Sequence, residues 1–176
     1  MKCLFTKAVR FAAKAHEGQK RKYTGEPYIL HPLAVAEIVR GVAPEHVELH
    51  VAAICHDVVE DTSFDIDDID YRFGHNVACM VYDLTDISKP EDGNRAERIK
   101  AIDREHLSRG SADSKTIKLA DLIHNTASIV KHDADFAKVY MEEKSLLLDV
   151  LGEGNITLLC RARVQVDDYF QKEMMV

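Results

Sequence analysis

Apolar residues recur along this chain at helical rather than strand spacing. Over residues 6–16, Ala8, Val9, Ala12, Ala13 and Ala15 predict a helix that Gly18 stops. Leu33, Val35, Ala36, Ile38 and Val39 predict a second, opened by His31-Pro32, because proline suits the first helical turn, and closed by Gly41. Pro44 opens a third that runs on through His56 and Asp57. A short acidic helix is expected over 63–74, with Ile66, Ile69 and Phe73 turned inward, and an apolar one over 76–84. Residues 88–93 form a loop. The following stretch, 94–107, carries Arg95, Arg98, Lys100 and Arg104 above an inner face of Ile99, Ile102 and Leu107. Those cations read equally well as halves of surface pairs with Glu97, Asp103 and Glu105. Helices over 115–125, 135–151 and 155–172 close the chain, with Leu146, Leu147, Val150, Leu151, Ile156, Leu158, Leu159, Val164 and Tyr169 as their core. With no strand set and no repeat, the predicted class is all-α.

Composition narrows the function. A chain of 176 residues, 46% hydrophobic and 30% charged, is expected to fold as a single domain, residues 1–176, around one core. No apolar run is long enough to cross a bilayer, and Met1-Lys2-Cys3-Leu4-Phe5 lacks a signal-peptide core, so a cytoplasmic protein is expected. Cys3, Cys55, Cys79 and Cys160 are too scattered for a thiolate site or a disulfide frame and are expected as small buried hydrophobes. A net charge of −7 argues against broad binding to nucleic acid but leaves room for a small polyanion in a local basic pocket.

Two helical stretches break their own apolar pattern. In the first, His56 and Asp57 are followed one turn later by Glu60 and Asp61, a ligand-type pair and then an acid/base-type pair. Taken alone, a His-Asp doublet reads as well as a satisfied core histidine or a solvated acidic helix end. In the second, Asp121 interrupts a face of Ile117, Ala120, Leu122 and Ile123, with no cation expected on its own helix face, and wants a partner from elsewhere. With His31 at a helix entrance, His56, Asp57 and Asp121 make a His₂Asp₂ set suited to Mn²⁺, Fe²⁺ or Zn²⁺. The acidic run Asp65, Asp67, Asp68 and Asp70 lacks the glycine and glutamate of a calcium loop and reads as a solvated face. Lys20, Arg21 and Lys22 beside Tyr23 read either as a phosphate- or base-binding lip or as a solvated loop.

The blocks Gly25-Glu26-Pro27-Tyr28-Ile29-Leu30-His31-Pro32, His56-Asp57-Val58-Val59-Glu60-Asp61-Thr62, Phe73-Gly74 and Lys118-Leu119-Ala120-Asp121 with His124-Asn125 resemble the HD-domain phosphohydrolases. Within them, the sequence is similar to the hydrolase domain of the RelA/SpoT-homologue alarmone enzymes, especially the stand-alone small alarmone hydrolases. The resemblance implies an HD-domain helical bundle. It implies Mn²⁺ held by His31, His56, Asp57 and Asp121, proton handling by Glu60 and Asp61, and removal of the 3′-pyrophosphate of (p)ppGpp to give GDP or GTP. It further implies substrate contacts from Lys22, Tyr23, Thr24, Asn125 and Ser128, with Asn125 on the ribose–phosphate part. Relatives carry Arg-Lys-Ser where this chain has Lys22-Tyr23-Thr24, and Thr-Lys where it has Thr85-Asp86. An HD phosphohydrolase acting on NADPH or a nucleoside monophosphate is the alternative, and a non-catalytic nucleotide sensor is a third reading.

Overall fold

The computed structural model describes residues 2–94 and 98–175, the side chains of residues 2, 3, 90 and 98–100 excepted. The charges expected at Arg95 and Glu97 therefore lie outside the described residues, as do the side chains of Cys3, Arg98, Ile99 and Lys100. The fold is all-α: among the described residues there is no strand, only an isolated antiparallel bridge between Lys20 and Pro27. The chain forms two compact units, Met1–Thr85 and Asp86–Val176.

The first unit holds α1 (Lys2–Ala15), α2 (Leu30–Val42), α3 (Val47–Cys55), α4 (Val58–Asp61), α5 (Ile66–Phe73) and α6 (His75–Leu84). Every residue from Leu49 to Cys55 is buried, as a helix enclosed by α1, α2 and α6 must be. The expected third helix does not run through His56. Its hydrogen-bond ladder stops at Cys55, and Asp57 takes φ −95° and ψ −3°, a bridge conformation between turn and helix that active-site residues often adopt. The ladder restarts where Asp61 N donates to Asp57 O at 2.9 Å. The acidic run has a local explanation: Asp65 and Asp68 form a reciprocal capping box that satisfies orphan amides at the start of α5. Gly74, at φ +93°, makes the left-handed turn into α6. Phe11 packs edge-on against Phe64 and Phe73, at 4.8 and 5.5 Å between ring centroids.

In the second unit, a 3₁₀ turn (Pro90–Asp92) and a π-helical segment (Arg98–Asp103) precede α7 (Arg104–Ser108), α8 (Ala112–His132), α9 (Ala134–Leu148) and α10 (Ile156–Glu173). Of the stretch expected at near-helical spacing over 94–107, residues 98–107 form a wider π turn followed by a short helix. Buried Asp103 accepts from the amides of Ile87 and Ser88 and from the Ser88 hydroxyl, tying down the segment before it. α8 starts earlier than expected, where Ser111 caps it by accepting from Ser114 N at 3.1 Å, and runs on beyond residue 125 to His132. α9 and α10 both pack on α8. Gly154 lets the chain pass close to α8, where an added Cβ would lie 2.8 Å from Leu119 Cδ1 and 3.1 Å from the Lys115 carbonyl carbon.

The expected core shifts by a fraction of a turn. On α10 the buried face is Leu158, Leu159, Ala162 and Val166, while Ile156 is 65% and Val164 55% exposed. Val164 falls on the far side of a helix whose inner stripe follows three- and four-residue steps. On α9, Leu148 is buried and Leu146 and Leu147 only half-buried. Cys55 is buried, with its thiol pushed up to about 12 by that burial, but Cys79 and Cys160 are exposed rather than core residues.

Candidate metal centre

His31, two residues into α2, and His56, at the end of α3, are both almost fully buried in the first unit. A nitrogen of one ring lies within 4.8 Å of a nitrogen of the other. Asp57 stands between them: its Oδ1 is 3.1 Å from His56 Nε2 and its Oδ2 is 3.4 Å from His31 Nε2. His56 Nδ1 donates to Ala53 O at 2.8 Å, so in the neutral ring Nε2 presents its lone pair to the Asp57 carboxylate. Two electron-rich atoms at that distance repel unless a proton or a cation lies between them. Adjacent ligands on an ion with bonds of about 2.1 Å stand roughly 3 Å apart, so this donor set fits a divalent metal. A backbone carbonyl fixing the tautomer of a ligating histidine is the usual support for such a site.

Positive charge or a donated proton at either ring favours the ionised carboxylate. Burial by itself would raise the Asp57 carboxyl, but His56 and His31 outweigh it and hold the group well below the ordinary carboxylate range. One turn on, Asp61 shifts the other way, raised first by loss of water around its carboxyl and then by the charge of Asp57.

Sequence reasoning gave no role to Tyr28, His16 or Gln19. The Tyr28 hydroxyl donates to Asp57 Oδ2 at 2.7 Å, and burial and that carboxylate push its own pKa well up, so it remains a donor. Its ring lies 4.7 Å from that of His16 and 5.8 Å from that of His31. Gln19 Nε2 donates to Asp61 O at 2.8 Å, while its Oε1 accepts from His16 Nδ1 at 2.7 Å. Tyr28 belongs to the Gly-Glu-Pro-Tyr block and Gln19 to the loop before it, while His16 continues the buried Ala8–Ala12 stripe of α1 one turn on. Lys22 donates to the Tyr23 hydroxyl at 3.3 Å and lies 4.8 Å from its ring centroid. Thr24 and Glu60 are exposed.

In the second unit Asp121 is buried in the middle of α8. Asn125 Nδ2 donates to its Oδ1 at 2.6 Å. Contrary to expectation, its own helix supplies a cation: Lys118 Nζ lies 3.4 Å from Oδ2, three residues back. Ser128 lies further along the same helix, half-buried.

A family model described as an HD domain matches residues 8–147. The chain belongs to the HD-domain family. This HD domain is 38% identical over 125 residues to the guanosine-3′,5′-bis(diphosphate) 3′-pyrophosphohydrolase MESH1 of Xenopus tropicalis, covering 69% of this chain and 67% of that protein. It is 36% identical over 129 residues to a probable enzyme of the same name from Synechocystis, covering 72% of this chain but 17% of that protein's length. Among solved structures it matches a metazoan orthologue of SpoT, described as hydrolysing ppGpp, with a TM-score of 0.82 and 27% identity over 98% of this chain and 97% of that one. Among the described residues, no helix is long and apolar enough to cross a membrane.

Proposed function

We propose that this HD domain removes the 3′-pyrophosphate of (p)ppGpp, yielding pyrophosphate and GDP or GTP, with residues 1–176 acting as one hydrolase domain. The supporting observation is the pair of buried imidazoles facing the low-pKa Asp57 carboxylate, next to the raised carboxyl of Asp61. In this reading His31, His56, Asp57 and Asp121 hold Mn²⁺. When bound, the ion supplies Lewis-acid stabilisation of phosphoryl charge and makes water acidic near neutral pH.

The chain's own groups do the rest. Asp57 stays ionised at working pH, and Tyr28 fixes the orientation of its carboxylate. Asp61, its carboxyl raised above the ordinary range by burial and by the Asp57 charge, and exposed Glu60 accept and return the proton of the attacking water. Gln19 holds the backbone of Asp61 in place. Lys22 meets phosphate as a point charge, without the planar fork of an arginine, and Tyr23 stacks on the base. Thr24, Asn125 and Ser128 complete the substrate contacts. The setting is cytoplasmic and the substrate a small nucleotide rather than a nucleic acid, consistent with the net charge of −7.

Incubation with Mn²⁺ and, in turn, ppGpp, NADPH and a deoxynucleoside monophosphate tests the assignment. Pyrophosphate from ppGpp is expected. Turnover of one of the others without ppGpp hydrolysis would replace the substrate but keep the site. No turnover of any, with Mn²⁺ bound, would favour a sensor.

A further inference from the structure

The second unit buries a lysine that the mechanism above leaves without a role. Lys144, on α9, has no exposed surface at all. Its Nζ donates to Thr126 Oγ1 on α8 at 2.8 Å and to Gln165 Oε1 on α10 at 2.7 Å. Both partners accept here, since the Gln165 amide oxygen cannot donate and the Thr126 hydroxyl spends its proton elsewhere, so the direction of every following bond is set. Thr126 passes its own proton to Leu122 O at 2.6 Å, and Gln165 Nε2 donates to Ile123 O at 3.3 Å. Tyr140, one turn before Lys144 on α9, donates to Leu122 O at 3.1 Å. Side chains from three helices therefore end on the two carbonyls that directly follow Asp121.

Stability does not call for this arrangement. Burial and nearby Arg161 lower the Lys144 pKa to about 7, against the pull of the Asp121 charge. An apolar side chain of similar volume would avoid that cost. What the polar cluster adds is direction. Leucine and isoleucine packing tolerates small rotations and slides of a helix, whereas these bonds fix the rotation and height of one turn of α8 against its neighbours. That turn carries Asp121 and Asn125, joined to each other by the 2.6 Å bond.

We propose that Lys144 is a positioning residue, which through Thr126 and Gln165 holds the Asp121–Asn125 turn of α8 at the angle that metal and substrate require. This rests on the reading of Asp121 as a metal ligand and Asn125 as a substrate contact. Supporting groups around a metal site typically change affinity or activity by about 10–100-fold when removed.

The test is Lys144→Met in the full chain, followed by thermal unfolding, Mn²⁺ affinity by calorimetry, and kcat and KM for ppGpp. Unfolding at or above the wild-type temperature is expected, together with Mn²⁺ affinity and kcat each down by about tenfold. A merely structural lysine would not separate stability from function in this way. Wild-type affinity and kcat in the folded variant overturn the proposal. If Lys144→Met fails to fold, Gln165→Leu and Tyr140→Phe each remove one donor to the same turn. A loss of about threefold in kcat is expected of each, and wild-type kcat in both overturns the proposal. Asp121→Asn is run beside them. Wild-type Mn²⁺ binding in that variant sinks the metal assignment, whereas lost binding there beside wild-type Lys144→Met sinks this inference alone.

Discussion

The polar groups buried in the two units are of opposite kinds. Around Lys144 the donors meet acceptors: the ammonium ends on a hydroxyl and an amide oxygen, and these side chains in turn end on carbonyls. Around Asp57, the carboxylate faces the Nε2 atoms of two imidazoles, one of which, His56, presents a lone pair there when neutral because a backbone carbonyl takes its Nδ1 proton. A closed network holds a shape. An electron-rich cluster calls for a cation from outside, and that difference, rather than burial or charge alone, separates scaffold from reaction centre.

The contrast is broken most directly at Asp57. Asp57→Ala is expected to abolish measurable Mn²⁺ binding and to lower kcat by on the order of 10³-fold. Retained binding by calorimetry would mean that the two imidazoles do not need the carboxylate to hold an ion. Asp61→Asn comes next. It should keep Mn²⁺ binding and lose about 10²–10³-fold in kcat, because it removes a proton acceptor and leaves the histidine cluster intact. Equal losses in binding and turnover would move Asp61 into the ligand set.

The closed network is tested by pH. The folded pKa of Lys144, about 7, lies below the 10.5 of an unperturbed lysine, so between those values the unfolded chain binds more protons than the folded one. Stability from this group therefore rises with pH through that window, by about 2 kcal/mol between pH 7 and 9, and is smallest below pH 7. Lys144→Met should remove that rise in denaturant titrations. An unchanged slope would assign it to another group. The smallest effect is expected from Tyr28→Phe, which deletes only the hydroxyl bonded to Asp57: about a tenfold weaker Mn²⁺ affinity with little change in unfolding temperature.

The helical class, the helix that carries His31 and the apolar stripes of α2 and α5 were all legible in sequence, because a 3.6-residue period is a local property. His56, Asp57 and Asp121 stood out for a related reason: ionisable groups inside an apolar period are costly and so conspicuous. The break after Cys55 was not legible. The apolar pattern carries on across it from Ile54 and Cys55 to Val58 and Val59, and only the bridge conformation at Asp57 opens the ladder there. The inner face of α10 was misplaced at Ile156 and Val164 for a different reason, since periodicity fixes the spacing of a stripe but not which neighbour it meets.

Sequence by itself determined the helices, the residue types at the reaction centre and the family blocks that contain them. Tertiary structure alone decided that Tyr28 supports Asp57, that Gln19 tethers Asp61, and that Lys144 ends beneath the turn of Asp121. These are contacts between residues far apart in the chain or off any apolar period. Hydrogen bonds depend on distances and angles that folding sets, and no spacing along the chain encodes them.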